Sequence, residues 1–189
     1  MNRAFTKRET VLILIFAVLL IGICVGGVVG GVAKAWVDTC PSLDLDKIGT
    51  QSLTSFIYDQ NGDLVTEFKG SENRIYVEYE EIPQKLINAV IAIEDARFYE
   101  HHGVDIKRIG GSLIHNLTGG NLQGASTITC QLVKLTLLNS DQTYKRKVQE
   151  AYLALQLEEA FTKEQILEAY LNVIYLGGSN YGVKIAAQD

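Results

Sequence analysis

The run Ile82-Pro83-Gln84-Lys85-Leu86-Ile87-Asn88-Ala89-Val90-Ile91-Ala92-Ile93-Glu94-Asp95-Ala96-Arg97 decides the fold class. After Pro83, which suits a first helical position, Leu86, Ala89, Val90, Ile93 and Arg97 recur at three- and four-residue spacing, the period of a helix. That period persists to the end of the chain. It predicts a second helix over 106–117, a third over 126–138 and a fourth over 144–161. A fifth carries its own start signal: Thr162 with Gln165 three positions on forms a capping box ahead of the stripe Ile166, Leu167, Tyr170, Leu171, Ile174, and Gly177 and Gly178 end it. The run 182–189 opens a further helix without a stop, so the domain is expected to be truncated at its C-terminal end.

Upstream of Ile82 the pattern changes. Ser55-Phe56-Ile57-Tyr58 and Leu64-Val65-Thr66-Glu67-Phe68 are strand-like runs flanking Asp59-Gln60-Asn61-Gly62-Asp63, whose Asn-Gly step is a hairpin turn signal. A short strand is expected over 74–78. Residues 34–54 mix Pro41, Gly49 and acidic and hydroxyl residues without helical period and read as a linker.

Residues 11–33 carry no charge for 23 positions, against the ~20 residues a helix needs to cross the hydrocarbon core. Arg3, Lys7 and Arg8 precede the segment and Lys34 alone follows closely, which orients residues 1–10 as a cytoplasmic tail, 11–33 as a single transmembrane helix and everything after Trp36 as extracytoplasmic. The rival is a cleaved secretory signal ending at Ala33-Lys34-Ala35, but its apolar region is usually only ~7–15 residues long. Glycines 22, 26 and 30, with 27 and 31, would also let two such helices approach closely. The fold class is therefore mainly α: a helical domain over 55–189 with a short β-hairpin near its start, preceded by one transmembrane helix.

The net charge of −5 divides into +2 over residues 1–40, −7 over 41–100 and zero over 101–189. No basic footprint for nucleic acid exists, and the acidic stretch reads as solvated surface. Cys24, Cys40 and Cys130 are odd in number and lack metal-ligand spacing, so no disulfide framework is expected.

Three stretches ask for chemistry. Glu94 projects from the apolar stripe near a helix C-terminus, where the surroundings and the negative end of the helix dipole both disfavour a charged carboxylate, a setting suited to a general base. Period alone leaves open that Glu94 swings out at a fraying end or pairs with Arg97. His101 and His102 are adjacent and point apart, which favours hydrogen bonding over metal ligation. In Gly124-Ala125-Ser126-Thr127-Ile128-Thr129-Cys130-Gln131-Leu132-Val133-Lys134, the residues Ser126, Cys130 and Lys134 share a helix face, and a glycine-led helix start with hydroxyls and a lysine can cradle phosphate. In Lys145-Arg146-Lys147-Val148-Gln149-Glu150, Arg146 and Glu150 stand four apart and read by spacing as a surface pair.

Together these stretches resemble the glycosyltransferase family 51 domain of class A penicillin-binding proteins and monofunctional peptidoglycan glycosyltransferases. Glu94-Asp95-x-x-Phe98-x-x-His101-x-Gly103 looks like the first family motif, and Gly124-x-Ser126-Thr127-Ile128-Thr129-x-Gln131-Leu132-x-Lys134 the second. Arg146-Lys147-x-x-Glu150 with Ala154 and Leu157-Glu158 looks like the third, and Lys163-x-x-Ile166-Leu167-Glu168-x-Tyr170-Leu171-Asn172-x-x-Tyr175-x-Gly177 the fourth. A fifth begins at Gly182. Four ordered motifs at matching separation are very specific.

The resemblance implies a lysozyme-like domain at the bacterial cytoplasmic membrane that polymerises lipid II into β-1,4-linked glycan strands and releases undecaprenyl pyrophosphate with inversion. By carry-over, Glu94 and Glu150 would be catalytic: Glu94 would deprotonate the acceptor 4-hydroxyl, and Glu150 would act at the pyrophosphate directly or through a divalent cation such as Mg or Mn. Ser126, Thr127, Gln131, Lys134, Arg146 and Lys147 would bind substrate and pyrophosphate. No organic cofactor is implied, and the partners would be lipid II, the growing strand, the membrane and proteins of wall elongation or division. The chain departs from the family pattern at Cys130 (usually glutamine), Leu135 (usually asparagine) and Gln142 (usually arginine), the last removing a cation expected near pyrophosphate. Two competing readings are a non-catalytic membrane-anchored scaffold that binds lipid II, and a hydrolase built on paired acids such as Glu94 and Glu150.

Overall fold

The structure, a computed structural model, describes residues 6–49, 54–68, 73–119, 124–139 and 141–188. Arg3 of the expected tail, residues 50–53 of the expected linker and the terminal Asp189 lie outside them. The chain divides into two compact units, Met1–Cys40 and Pro41–Asp189.

Among the described residues the first unit holds one helix, α1 (Lys7–Asp38), opened by a capping box in which the Thr6 hydroxyl accepts from the Glu9 N–H and the Glu9 carboxylate accepts from the Thr6 N–H. It exceeds the apolar run 11–33 by about a turn at each end. None of its residues is buried, and its length and composition suffice to cross a membrane.

The second unit begins with a five-residue helix, α2 (Leu45–Gly49), inside the stretch expected to be linker; its Ile48 is buried. Strands β1 (Ser55–Tyr58) and β2 (Leu64–Phe68) follow as an antiparallel pair with the expected bounds. Asp59 closes the turn through Oδ1, which accepts from the Asn61 and Asp63 N–H groups, and Gly62 takes φ +88°. The expected strand over 74–78 does not form. Its backbone is extended, but Val77 exchanges both its hydrogen bonds with the buried side-chain amide of Asn172, so a side chain stands where a strand partner would.

Five longer helices make the body of this unit: α3 (Gln84–Glu94), α4 (Ile106–Leu117), α5 (Ile128–Thr136), α6 (Tyr144–Ala160) and α7 (Lys163–Val173). Asp105, Thr127, Thr143 and Thr162 cap the last four through their side chains, each accepting from the backbone three residues on. Pro83 stands at the N-cap of α3, one position before its expected place. The Tyr175–Gly177 and Asn180–Tyr181 strands, β3 and β4, pair after α7, and α8 (Val183–Ala186) closes the described chain. The glycine pair therefore does not end α7, which stops at Val173, but turns the β3–β4 hairpin with Gly177 and Gly178 at positive φ.

The core lies where α5 packs against α6 and α7. Ile128, Leu132 and Val133 meet Leu153, Ala154 and Leu157 of α6 and Ile166, Leu167, Tyr170 and Leu171 of α7, all fully buried. Each such aliphatic side chain contributes about 1.5–3 kcal/mol by leaving water. In α3 the expected stripe is displaced: Ile87 is the buried residue and Ile93 is 78% exposed. That helix is apolar almost all round, so period alone could not choose its inward face.

Gly103 fixes the approach of the 98–103 loop to α6. At φ +76°, a Cβ here would lie 2.6 Å from the Ala154 carbonyl oxygen and 2.7 Å from its carbon. Gly103→Ala is therefore expected to destabilise the protein by about 2–4 kcal/mol, from a left-handed residue and overpacking combined. Thermal denaturation should show a drop of roughly 5–15 °C.

Candidate active site

Helix α3 ends at Glu94, half-buried, and α5 runs past it with Gln131 in its first turn. The Gln131 Nε2 donates to Glu94 Oε2 at 2.9 Å. Behind it, the Tyr170 hydroxyl of α7 donates to Gln131 Oε1 at 3.3 Å. From α4, Arg108 Nη1 donates to the Glu94 backbone carbonyl at 2.6 Å, satisfying an acceptor at the helix end. Glu94 does not pair with Arg97, because that guanidinium engages Asp105 through two nitrogens.

Asp95 is wholly buried. Its Oδ2 accepts from the Ile128 N–H at 3.1 Å, in the first turn of α5, and lies 2.9 Å from His101 Nε2. A carboxylate only accepts, so Nε2 carries the proton there. Arg108 Nη1 approaches the other oxygen at 3.9 Å. That cation is beyond hydrogen-bond reach, so among the described residues Oδ1 accepts no bond and the burial is offset by the two partners of Oδ2 and by the nearby guanidinium. His101 is thus a hydrogen-bonding residue beside Gly103, and neither it nor His102 belongs to a cluster of three metal-binding groups among the described residues. Burial works against the charge on Asp105, yet the Arg108 N–H and the Arg97 guanidinium hold its carboxyl below the usual range.

A second network ties the far side of this loop. Lys163 Nζ donates to the His101 carbonyl and to Glu158 Oε1, each at 2.7 Å, and sits 4.3 Å from the Phe98 ring centroid. Thr129 donates to the same Glu158 at 2.7 Å.

The basic cluster differs from a surface pair. Glu150 is 2% exposed, with Arg146 Nη1 at 2.6 Å from one oxygen and Lys147 Nζ at 2.8 Å from the other. Lys147 also donates to Ser126 Oγ at 3.0 Å. Gln142, Thr143, Tyr144, Arg146 and Lys147 line a cleft of about 710 Å³ at the start of α6. Both Glu150 oxygens face cations, and no group of three metal-capable side chains among the described residues includes it. That donor set does not fit a divalent ion.

Of the expected site residues, the structure joins Glu94 to Gln131, and Ser126 to Lys147, Glu150 and Arg146. Among the described residues, no hydrogen bond or ion pair joins Lys134, half-buried on α5, to the others. Thr127 is buried, caps α5 and donates to the Gly103 carbonyl at 2.6 Å, so its hydroxyl is not open to a ligand. Ser126 precedes α5 and therefore shares no helix face with Cys130, whose buried thiol points to the same Gly103 carbonyl at 3.6 Å. Burial pushes that thiol up, and all three cysteines are free. Sequence reasoning passed over Asp95, Arg108 and Tyr170 as site components. Tyr170 was hidden because it falls in an apolar stripe.

A lysozyme-like helical domain with a carboxylate at a helix end and a cation-lined cleft defines the class. The family model for Transglycosylase matches residues 61–189, and the chain belongs to that family. It is 43% identical over 188 residues to penicillin-binding protein 1A of Clostridium botulinum, covering 97% of this chain and 23% of the relative. It is 48% identical over 164 residues to penicillin-binding protein 1A of Clostridium tetani (84% of this chain, 21% of the relative). It is also 49% identical over 166 residues to penicillin-binding protein 1A/1B of Bacillus subtilis (86% and 18%). The chain thus spans about a fifth of the length of these relatives.

Lys163→Met would leave Glu158, 4% exposed at its side chain, without its cation. A loss of about 3 kcal/mol in stability is expected, the usual cost of stranding a buried charge. In denaturant titrations the double variant Lys163→Met/Glu158→Gln should recover part of that loss, showing the coupling directly.

Proposed function

We propose that the chain is an inverting peptidoglycan glycosyltransferase that polymerises lipid II into β-1,4-linked glycan with release of undecaprenyl pyrophosphate. The observation that carries the reading is Glu94: a half-buried carboxylate, oriented by Gln131, in a chain of the Transglycosylase family. Glu94 takes the proton of the acceptor 4-hydroxyl as that oxygen bonds to the donor's anomeric carbon from the face opposite the leaving group. The bond from that carbon to the pyrophosphate oxygen breaks, and its electron pair leaves with the pyrophosphate. Arg146 and Lys147, lining one cleft, with Lys134, supply positive charge where negative charge develops. Glu150 holds Arg146 and Lys147 in place, and no step is assigned to a metal.

The substrate's lipid has a matching surface. Ile93 of α3 and Ile106, Ile109, Ile114 and Leu117 of α4 are exposed, and Ile93 and Arg108 line a second cleft of about 490 Å³ at the Glu94 end of α3. Helix α1 anchors the chain with its N-terminus cytoplasmic and the domain outside, following the bias of Lys7 and Arg8 before the span. The growing strand and proteins of wall elongation or division are the expected partners.

Glu94→Gln keeps the side chain's shape but cannot accept the proton. Assayed on labelled lipid II, it should lose ~10²–10⁴-fold in turnover with its melting temperature preserved. Substantial residual turnover removes Glu94 from the base role.

Gln142 places a neutral amide in the cleft shared by Arg146 and Lys147. Gln142→Arg should raise turnover by about tenfold or less, since a guanidinium makes charge-assisted paired bonds to phosphate. A protein that binds lipid II but polymerises none, with or without this substitution, is instead a scaffold. No gain is expected from Cys130→Gln, because that side chain is buried against Gly103.

A further inference from the structure

We infer that Tyr170 is a positioning residue for the Glu94 base, acting through Gln131; the inference rests on the function proposed above. Three side chains from three helices form one directional chain. Tyr170 O–H donates to Gln131 Oε1 at 3.3 Å, and Gln131 Nε2–H donates to Glu94 Oε2 at 2.9 Å. The direction is forced by chemistry. An ionised carboxylate only accepts, so the amide must turn its nitrogen to Glu94 and its oxygen to Tyr170, which must then supply a proton.

Tyr170 is suited to stay protonated. It is wholly buried, and both that burial and the nearby Glu94 charge push its phenol up. Its ring packs in the α5–α7 core, so the hydroxyl is a fixed donor on a rigid element. Gln131, by contrast, is half-exposed on a flexible stem, and the tyrosine bond holds its amide plane.

The chain sets Glu94's appetite for a proton as well as its position. The Gln131–Glu94 bond is charge-assisted while Glu94 is ionised and weakens to an ordinary one when the acceptor's proton arrives. Removing the tyrosine hydroxyl loosens the amide and withdraws hydrogen-bond support from the carboxylate. Other charged groups near Glu94 are left in place by that change: Arg108 from α4 at its own carbonyl, Asp95 with His101 next along the chain, Arg97 paired with Asp105, and Lys134 one turn beyond Gln131 on α5.

The test is Tyr170→Phe in the full anchored chain, assayed on lipid II across pH. The expected result is a roughly tenfold fall in kcat with KM within about twofold. The acidic limb of the kcat profile should move up by about half a unit or more. A wild-type kcat and limb overturn the proposal. So does a rate loss that follows a lower melting temperature with the limb unmoved, since that marks a merely structural tyrosine.

Should the variant not fold, the wild-type protein still decides. With ¹³C label at the tyrosine ζ carbons, Tyr170 should respond across the pH range of the acidic limb of kcat, and Glu94→Gln should abolish the response. No response overturns the relay. The two readings fail separately: an active Glu94→Gln removes the base, whereas an inactive Glu94→Gln beside an unperturbed Tyr170→Phe removes only the relay.

Discussion

The buried carboxylate of Asp95 is the interaction on which the rest of the unit depends. It sits one residue beyond the end of α3, yet its oxygens meet the first turn of α5, the His101 ring and the Arg108 guanidinium of α4. One side chain thereby fixes the angle between two helices and the path of the loop between them. Glu94, its neighbour, inherits that rigidity. A carboxylate on a frayed helix end would wander, whereas here the next residue is anchored in the core and Arg108 also holds the Glu94 carbonyl. The positive end of the α5 dipole stabilises the Asp95 charge at the same time.

The four ordered motifs, separate in sequence, are joined by named bonds. The first meets the second through Glu94 to Gln131 and Asp95 to Ile128, and the fourth through the His101 carbonyl to Lys163. The second meets the third through Ser126 to Lys147 and Thr129 to Glu158, and the fourth through Gln131 to Tyr170. Because α5 carries most of these partners and also a fully buried apolar stripe, its packing and much of the polar geometry are set by the same nine residues. A change in α5 therefore disturbs stability and site together.

What was legible in the sequence was what is locally determined. The hairpin strands and α4 begin and end where turn and cap chemistry put them, because Asp59, Gly62 and Asp105 act within four residues of themselves. Helix α5 starts two residues later than its sequence suggests, since Ser126 and Thr127 are both competent caps and only the distant Gly103 carbonyl selects Thr127. The strand expected over 74–78 failed for the same reason: its hydrogen bonds go to Asn172, 95 residues away from Val77. Glu94 was legible as an acid at the end of an apolar helix. Its partners on α5 and α7 were not, because no period within one helix reports on the face of another.

The two carboxylates Glu94 and Glu150 show how such partners separate roles that sequence leaves alike. A hydrolase of paired acids needs one carboxyl that arrives protonated and gives its proton to the leaving oxygen. Glu150 is contacted on both oxygens by cations in a site that is 2% exposed, so its carboxylate is turned to those cations rather than to a leaving oxygen. Its surroundings instead keep Arg146 and Lys147 from repelling each other and pin them toward one cleft. Glu94 meets a neutral amide rather than a cation, so it can lose and regain charge without stranding a partner. A leaving group that departs as a di-anion needs no proton, only fixed positive charge. That division, with one carboxylate facing a neutral amide and the other held between two cations, is the arrangement on which the proposed transfer from a phosphate-bearing donor rests.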